Sequence, residues 1–324
     1  MDKRSLGTGL VVLALLLAPV FLPGYASFQL TQTIGLALAL VGLNVLMGWG
    51  GQPSLGQGAF FAIGAYAAAM LMQTGLPWWL GVPAAGLVAA AAAWLIGKPI
   101  LRLEQTYLAL ATFAMALAVP QLLRFGAWER WVGGAAGLQL DRPAPPAWLP
   151  AAVTQDVWMY WIALGVAAAA LVAVNAVLRG RLGLDLRAVR DHATAANACG
   201  IDVARTKTLA FVLCAACGGL GGALYALNVQ LVTPDSFTIF LSLTLVVGLT
   251  IGGPGTLAGP LVGALFVQFV PMAAGGLSNA APWTVFGLAV LLVIFVEPRG
   301  LVGLWQRVRP RAAAARRQPH LHSR

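Results

Sequence analysis

The sequence predicts an all-α, polytopic inner-membrane helical bundle of about eight to ten transmembrane helices. A cytoplasmic loop and a broken or re-entrant segment near residues 250–256 complete the expected architecture. Composition is the first reason. Of 324 residues, 60% are hydrophobic and only 9% charged, and the mean hydropathy is +0.83. A water-soluble domain carries roughly a quarter charged residues. A chain this poor in charge cannot solvate its own surface, so lipid must be its solvent. The second reason is where the charges lie: the runs 6–23, 28–48, 56–73, 78–97, 106–123, 157–178, 208–229, 237–272 and 281–296 contain no Lys, Arg, Asp or Glu. Most approach the roughly 20 apolar residues of a spanning helix, twice the ~10-residue alternating strands of an outer-membrane barrel.

The first run follows a basic start, and MDKRSLGTGLVVLALLLAPVFLPGYASF has the outline of a cleavable signal peptide. Pro19 and Pro23 interrupt its apolar core and the next run follows after a few residues, so an uncleaved first helix is expected. The next five runs and 208–229 each suit one helix. The segment 237–272 is too long for one helix and too short for two ordinary ones. Its middle reads GLTIGGPGTLAGPLVG, and Gly252, Gly253, Pro254 and Gly255 would break a helix there. Two short or partly re-entrant helices around a buried turn are expected, because irregular backbone at membrane depth survives only under cover of protein or a wet cavity. Small residues four apart, Gly218 with Gly222 and Gly255 with Gly259 and Gly263, permit close helix packing in lipid.

Basic residues set the orientation. Lys3 and Arg4 precede the first run, Lys98 and Arg102 separate the fourth and fifth, six basic residues crowd 179–207, and seven arginines run from Arg299 to the end. Cytoplasmic loops collect Lys and Arg. Placing these four regions inside leaves only Arg124, Arg130 and Arg142 outside, in the loop 124–156. Both termini are then cytoplasmic if 237–272 crosses twice, giving about ten crossings, or dips in and returns, giving about eight plus a re-entrant loop. Two regions follow: a transmembrane domain at 1–305, and a basic cytoplasmic tail at 306–324 expected to be disordered.

Several function classes drop out. The net charge of +10 resides in topology-setting loops and the tail RVRPRAAAARRQPHLHSR, which suits anionic headgroups. No aromatic residue interleaves with that tail to stack bases, so no nucleic-acid partner is expected. The clear spans hold none of the ionisable groups that ion- or proton-coupled transporters keep at depth, although sodium sites of carbonyls and hydroxyls escape this test. The glycine-rich GQPSLGQG is no phosphate loop, since it lacks the lysine and a preceding strand. Cys214 and Cys217 form a CxxC within the apolar FVLCAACGGLGGALYA, without the exposed helix start of a redox pair or the further ligands of a metal site. They read as packing residues, as does Cys199. No catalytic residue and no metal ligand is assigned.

Residues 179–207, RGRLGLDLRAVRDHATAANACGIDVARTK, are too long and too charged for a simple turn. Leu184, Ala188 and His192 recur at helical spacing, as do Leu186 and Val189, with Arg187, Arg190 and Asp191 on polar faces. Gly200 is able to end a helix. A short helix pair presenting a knob to a soluble partner is one reading; a solvated loop that only fixes topology is the other.

The ordered set of motifs then resembles one family. GLNVLMGWGGQPSLGQGAFFAIGAYAAAML, VGGAAGL at 132–138, the block 180–227, TPDSF at 233–237, GLTIGGPGTLAGPLVGA and EPRGLVGLW at 297–305 are similar to the LivM-type permeases of ABC importers for branched-chain amino acids. The resemblance implies that 179–207 is a coupling loop docking on a separate ATPase. Residues 195–200 resemble its EAA-type motif, with Gly200 as the motif glycine and Asn197 where the family commonly has Glu. Arg187, Arg190 and Asp191 keep the family's RAxRD pattern, and Asp202 completes the loop candidates.

The resemblance also gives the opening motif a role near the translocation path. Gly50 and Gly51 would permit an unwound turn, and Gln52, Ser54 and Gln57 would offer neutral hydrogen bonds to a passing solute or to neighbouring helices. Asn44 and the break at Gly252, Gly253 and Gly255 face the same two readings. The implied partners are two ABC ATPase subunits, which bind the ATP and magnesium that this chain does not, a second homologous LivH-type permease, a periplasmic substrate-binding protein and the lipid membrane. Related permeases for urea or short amides are the nearest alternative. A self-sufficient channel or secondary transporter is the alternative of a different class, and it would have no use for a docking loop.

Overall fold

The computed structural model describes residues 19, 23–100, 105–126, 129–146, 149–150, 153–275, 281–296 and 300–303. The expected first helix lies almost wholly outside them, as does the basic tail. The described chain is helical nearly throughout. Helix α1 (Gly24–Leu43) continues as a π-helical segment (Asn44–Trp49), and α2 (Gln57–Gln73), α3 (Trp78–Ile100), α4 (Gln105–Leu123) and α5 (Gln155–Arg179) follow. Two short helices, α6 (Arg181–Asp191) and α7 (Ala193–Ala198), fill the loop before α8 (Val203–Val229). Helices α9 (Ile239–Gly252), α10 (Gly259–Ala274) and α11 (Ala281–Val296) complete the bundle. By length and apolarity the spans Gly24–Trp49, α3, α5 and α8 are each able to cross a membrane. The long run 237–272 is two short helices, α9 and α10, as its glycines predict.

The glycines of α8 explain its central position. It runs antiparallel to α1, where Gly221 meets Gly35 and Cys214 meets Gly42, and a Cβ at any of the three glycines would strike the facing chain. Gly222 lies against the Phe61 backbone of α2, Gly64 of α2 against Gly219, and Gly219 also against Ala89 of α3. Three helices thus approach α8 at backbone distance, which in lipid, where apolar burial drives nothing, is the main source of association. Phe60, Phe61, Tyr66 and Phe211 fill the remaining space around it, all fully buried. Helix α8 begins at Val203, five residues before its uncharged run, because the Asp202 carboxylate accepts from Arg205 N at 2.9 Å and caps the first turn.

The two ends of the bundle differ. Where α1 starts and α8 ends, Arg142 pairs with Asp156 at 2.7 Å and donates to Asn228 O, while Asn228 Nδ2 donates to Phe28 O at 3.1 Å. A two-residue antiparallel ladder joins Leu138 and Gln139 to Val232 and Leu231, and Arg124 pairs with Asp235. The opposite end carries α6, α7 and the chain breaks.

Candidate functional site

At that opposite end the polar break, the glycine turn and the charged loop meet. Helix α1 does not end in a regular turn. The six residues that continue it, Asn44–Trp49, are π-helical, and the ladder closes through Gly50 N to Val45 O at 3.0 Å and Gln52 N to Leu46 O at 3.1 Å. Gly51 then turns the chain with φ +64, a left-handed conformation that costs a larger residue energy. Residues 51–56 are irregular before α2 begins at Gln57.

Asn44 joins this segment to the glycine turn 212 residues away. Its Nδ2 donates to Thr256 O at 2.7 Å, and its Oδ1 accepts from Gly255 N at 2.7 Å. One amide therefore satisfies a donor and an acceptor of the turn between α9 and α10. Gly48 stands one turn further on, where a Cβ would collide with both Asn44 Oδ1 and Gly255 N. From the far side Gly300 packs on the backbone of Gly253. Gly252 and Gly253 are buried at the centre of this contact, whereas Pro254, Leu257 and Ala258 are exposed, so the expected buried turn is only partly covered.

Helix α6 covers the other side of the break. Gly183, Leu186 and Val189 form its buried stripe, so Leu184, which shares a helical spacing with Ala188 and His192, is left 65% exposed. The Arg187 guanidinium lies 4.5 Å from the Trp49 ring centre, a cation–π contact. Arg190 Nη1 donates to Gly48 O at 3.0 Å, and its Nε to Asp191 Oδ1 at 3.2 Å. A Cβ on Gly51 would fall 2.5 Å from Arg190 Cγ, so the glycine admits the arginine stem.

The remaining candidates separate. Gln57 is a helix-joining residue: Nε2 donates to Ala39 O at 2.8 Å and Cys214 O at 3.3 Å, while Oε1 accepts from Cys214 Sγ at 2.9 Å. Ser54 Oγ accepts from Gly56 N at 3.4 Å inside the break. Gln52 is different, for its side chain is 2% exposed and neither amide atom has a hydrogen-bond partner among the described residues. Asn197 and Gly200 are exposed on α7 and just beyond it, away from the break. Gly200, at φ +82, closes α7 through Gly200 N to Asn197 O and Ile201 N to Ala196 O, both at 3.0 Å.

A family model described as "Branched-chain amino acid transport system / permease component" matches residues 25–296. The chain belongs to that family. The "High-affinity branched-chain amino acid transport system permease protein LivM" of Salmonella typhimurium is 30% identical over 327 residues, 93% of this chain and 76% of that protein. Its namesake in Escherichia coli is 29% identical over 336 residues, with the same two coverages, 93% and 76%. A "Probable branched-chain amino acid transport permease protein LivH" of Methanocaldococcus jannaschii is 21% identical over 304 residues, 88% of this chain and 92% of that one.

In this permease the three candidate groups are brought together by residues the sequence did not single out. Gly48 and Trp49 receive Arg190 and Arg187, and both stand in the string MGWGG beside the glycines that were noticed. Thr112 of α4 accepts from Leu55 N at 3.0 Å, and Ser242 of α9 accepts from Gly58 N at 2.9 Å, supplying a first-turn cap to α2. Nothing in the spacing of either residue signals this, because each partner is distant in the chain.

Proposed function

We propose that this permease is the LivM-type subunit of an ABC importer that moves branched-chain amino acids into the cytoplasm. In this reading two ATPase subunits supply the energy, a LivH-type permease completes the pore, and a periplasmic binding protein delivers the solute. The chain itself holds neither ATP nor magnesium and catalyses no reaction. Its termini are cytoplasmic, with 179–207 facing the ATPase.

The observation supporting this most directly is the form of that loop. Helix α6 is seated on the bundle by Gly183, Leu186 and Val189, while from residue 194 to 200 only Ala196 is buried. A loop that merely fixed topology would need neither the seat nor the compact, small-residue knob. Six basic residues against three acidic leave 179–207 with a positive surplus that suits an acidic groove. Docking is assigned to Leu184, Asn197, Gly200 and their exposed neighbours. Arg187 and Arg190 engage the break instead, Asp191 is exposed beside Arg190, and Asp202 serves α8 as its cap.

Affinity purification of the tagged permease in mild detergent, with mass spectrometry of bound proteins, tests the assembly. Recovery of two ATPases and a second permease is expected. The co-purified assembly, reconstituted with the binding protein and offered leucine, urea and acetamide, separates the substrate classes, with leucine uptake expected. A preparation that retains no ATPase even after crosslinking overturns the reading. Gly200→Trp sharpens the test, because nothing lies within 4 Å of a Cβ there. The side chain starts in open space but strains the left-handed backbone at φ +82 that closes α7, so loss of ATPase binding in a correctly inserted Gly200→Trp protein is the expected outcome.

A further inference from the structure

We propose that Arg190 is the positioning residue through which movement of the docked loop reaches the membrane helices. It grips the π-helical end of α1, and Asn44 of that same segment carries the movement to the turn between α9 and α10. The inference rests on the docking reading above and adds the path that the movement takes once docking has occurred.

Four observations support it. The carbonyl that Arg190 holds is a helix-end acceptor: the next available amide, Gln52 N, bonds Leu46 O instead, so Gly48 O is left to the guanidinium. A cation at a helix C-terminus is favoured electrostatically, and a charge-assisted bond is stronger than a neutral one. The onward link is stiff, because Asn44 bonds two backbone groups of the turn and the Gly48 backbone touches Gly255 directly. The break is built for a second arrangement, since a π-helical segment is a local departure from the regular ladder. It also encloses Gln52 with both amide atoms unpartnered among the described residues, and buried polar groups are normally paired. A shift of the 48–52 backbone that brings Gln52 to a partner has a driving force of its own. Helix α6 thus pulls on a segment that already has a reason to move.

The test uses the reconstituted complex with its ATPase subunits and binding protein, and reads three quantities for each variant: ATPase retained on purification, ATP hydrolysed, and leucine taken up. For Arg190→Ala, retention and hydrolysis persist while leucine uptake falls about tenfold, raising the ATP spent per leucine, as loss of one charge-assisted contact in a transmission path implies. Arg190→Lys, whose ammonium is still a donor, restores part of the coupling. Asn44→Ala gives the same signature from the other end of the path. A ratio of ATP to leucine unchanged in Arg190→Ala overturns the relay. Loss of ATPase binding in Arg190→Ala also overturns it, by making Arg190 a docking residue while leaving the docking reading intact. If the unmodified permease binds no ATPase, the docking reading is what fails.

Discussion

Replacing Gln57 by leucine separates the two roles that a neutral amide at membrane depth is able to play. The side chain spans from the first turn of α2 to α1 and α8, with two donated bonds and one accepted thiol bond, and it lies against Gly218. Leucine occupies similar volume and makes none of these bonds. Ala39 O and Cys214 O lie within α1 and α8 and keep their places in those helical ladders, so the substitution removes bonds without stranding a backbone acceptor. Interhelical side-chain bonds in lipid average roughly 0.6 kcal/mol, so three give a loss of about 2 kcal/mol. A loss of that size lowers the melting temperature of a chain this large by roughly 3 °C. Buried thiols supply the assay. Cys214 and Cys217 are buried and Cys199 is exposed, so in a Cys199→Ser background a thiol-reactive fluorophore reports only the opening of the α1–α2–α8 core. The reasoning predicts a lower midpoint for Gln57→Leu with little change in the KM for uptake. An unchanged midpoint together with a KM raised about tenfold, the loss of roughly 1.4 kcal/mol of solute binding, would refute it and return Gln57 to the translocation path.

Two further substitutions test the ends of the bundle. Gly48→Ala places a methyl group on Asn44 Oδ1 and Gly255 N, and overpacking of this kind costs about 1–3 kcal/mol; the same thiol assay should show a lower midpoint, with uptake reduced beyond what the stability loss explains. Arg142→Ala at the opposite end leaves Asp156 unpaired and removes the donors to Asn228 O, which should lower the melting midpoint by an amount that shrinks in high salt, as screening weakens an ion pair that is only partly buried.

The bundle was legible because its signal is additive: eight uncharged runs, from 28–48 to 281–296, coincide with helices, while the first run lies almost wholly outside the described residues. The broken hairpin was equally plain, since four breaking residues in a row allow no continuous helix. What escaped was pairing. Asn44 and Gly255 stand 211 residues apart, and no local pattern states that one amide serves that turn. Arg187 and Arg190 read as outward-facing charges of a loop, because an arginine that lies over an indole looks in sequence like one that faces water. Of the two apolar spacings in α6, Leu186 and Val189 form the buried one, joined by Gly183, which spacing did not mark and whose close contact with the Leu178 backbone leaves no room for a larger residue.

The distribution of contacts also says where a bundle like this is able to bend. Along α8 the crossings with α1, α2 and α3 rest on glycine against backbone. Such contacts have no intermediate arrangement: a small slide lifts one ridge onto another and loses the whole contact at once. The end bearing Arg142 adds ion pairs and a strand ladder to the same core. At the end bearing α6, glycine contacts such as Gly48 on Gly255 are joined by polar ones: an arginine on a carbonyl, a guanidinium on an indole, and one amide across a turn. Arg187 and Arg190 are exposed, so their contacts can be traded at the surface, and Gln52 beside them has neither amide atom partnered among the described residues. On the docking proposed above, movement imposed by a partner would be taken up where bonds can be traded and passed through the α8 core as a tilt of whole helices. A pore closed at one face and open at the other requires that same division between a stiff centre and an edge that rearranges.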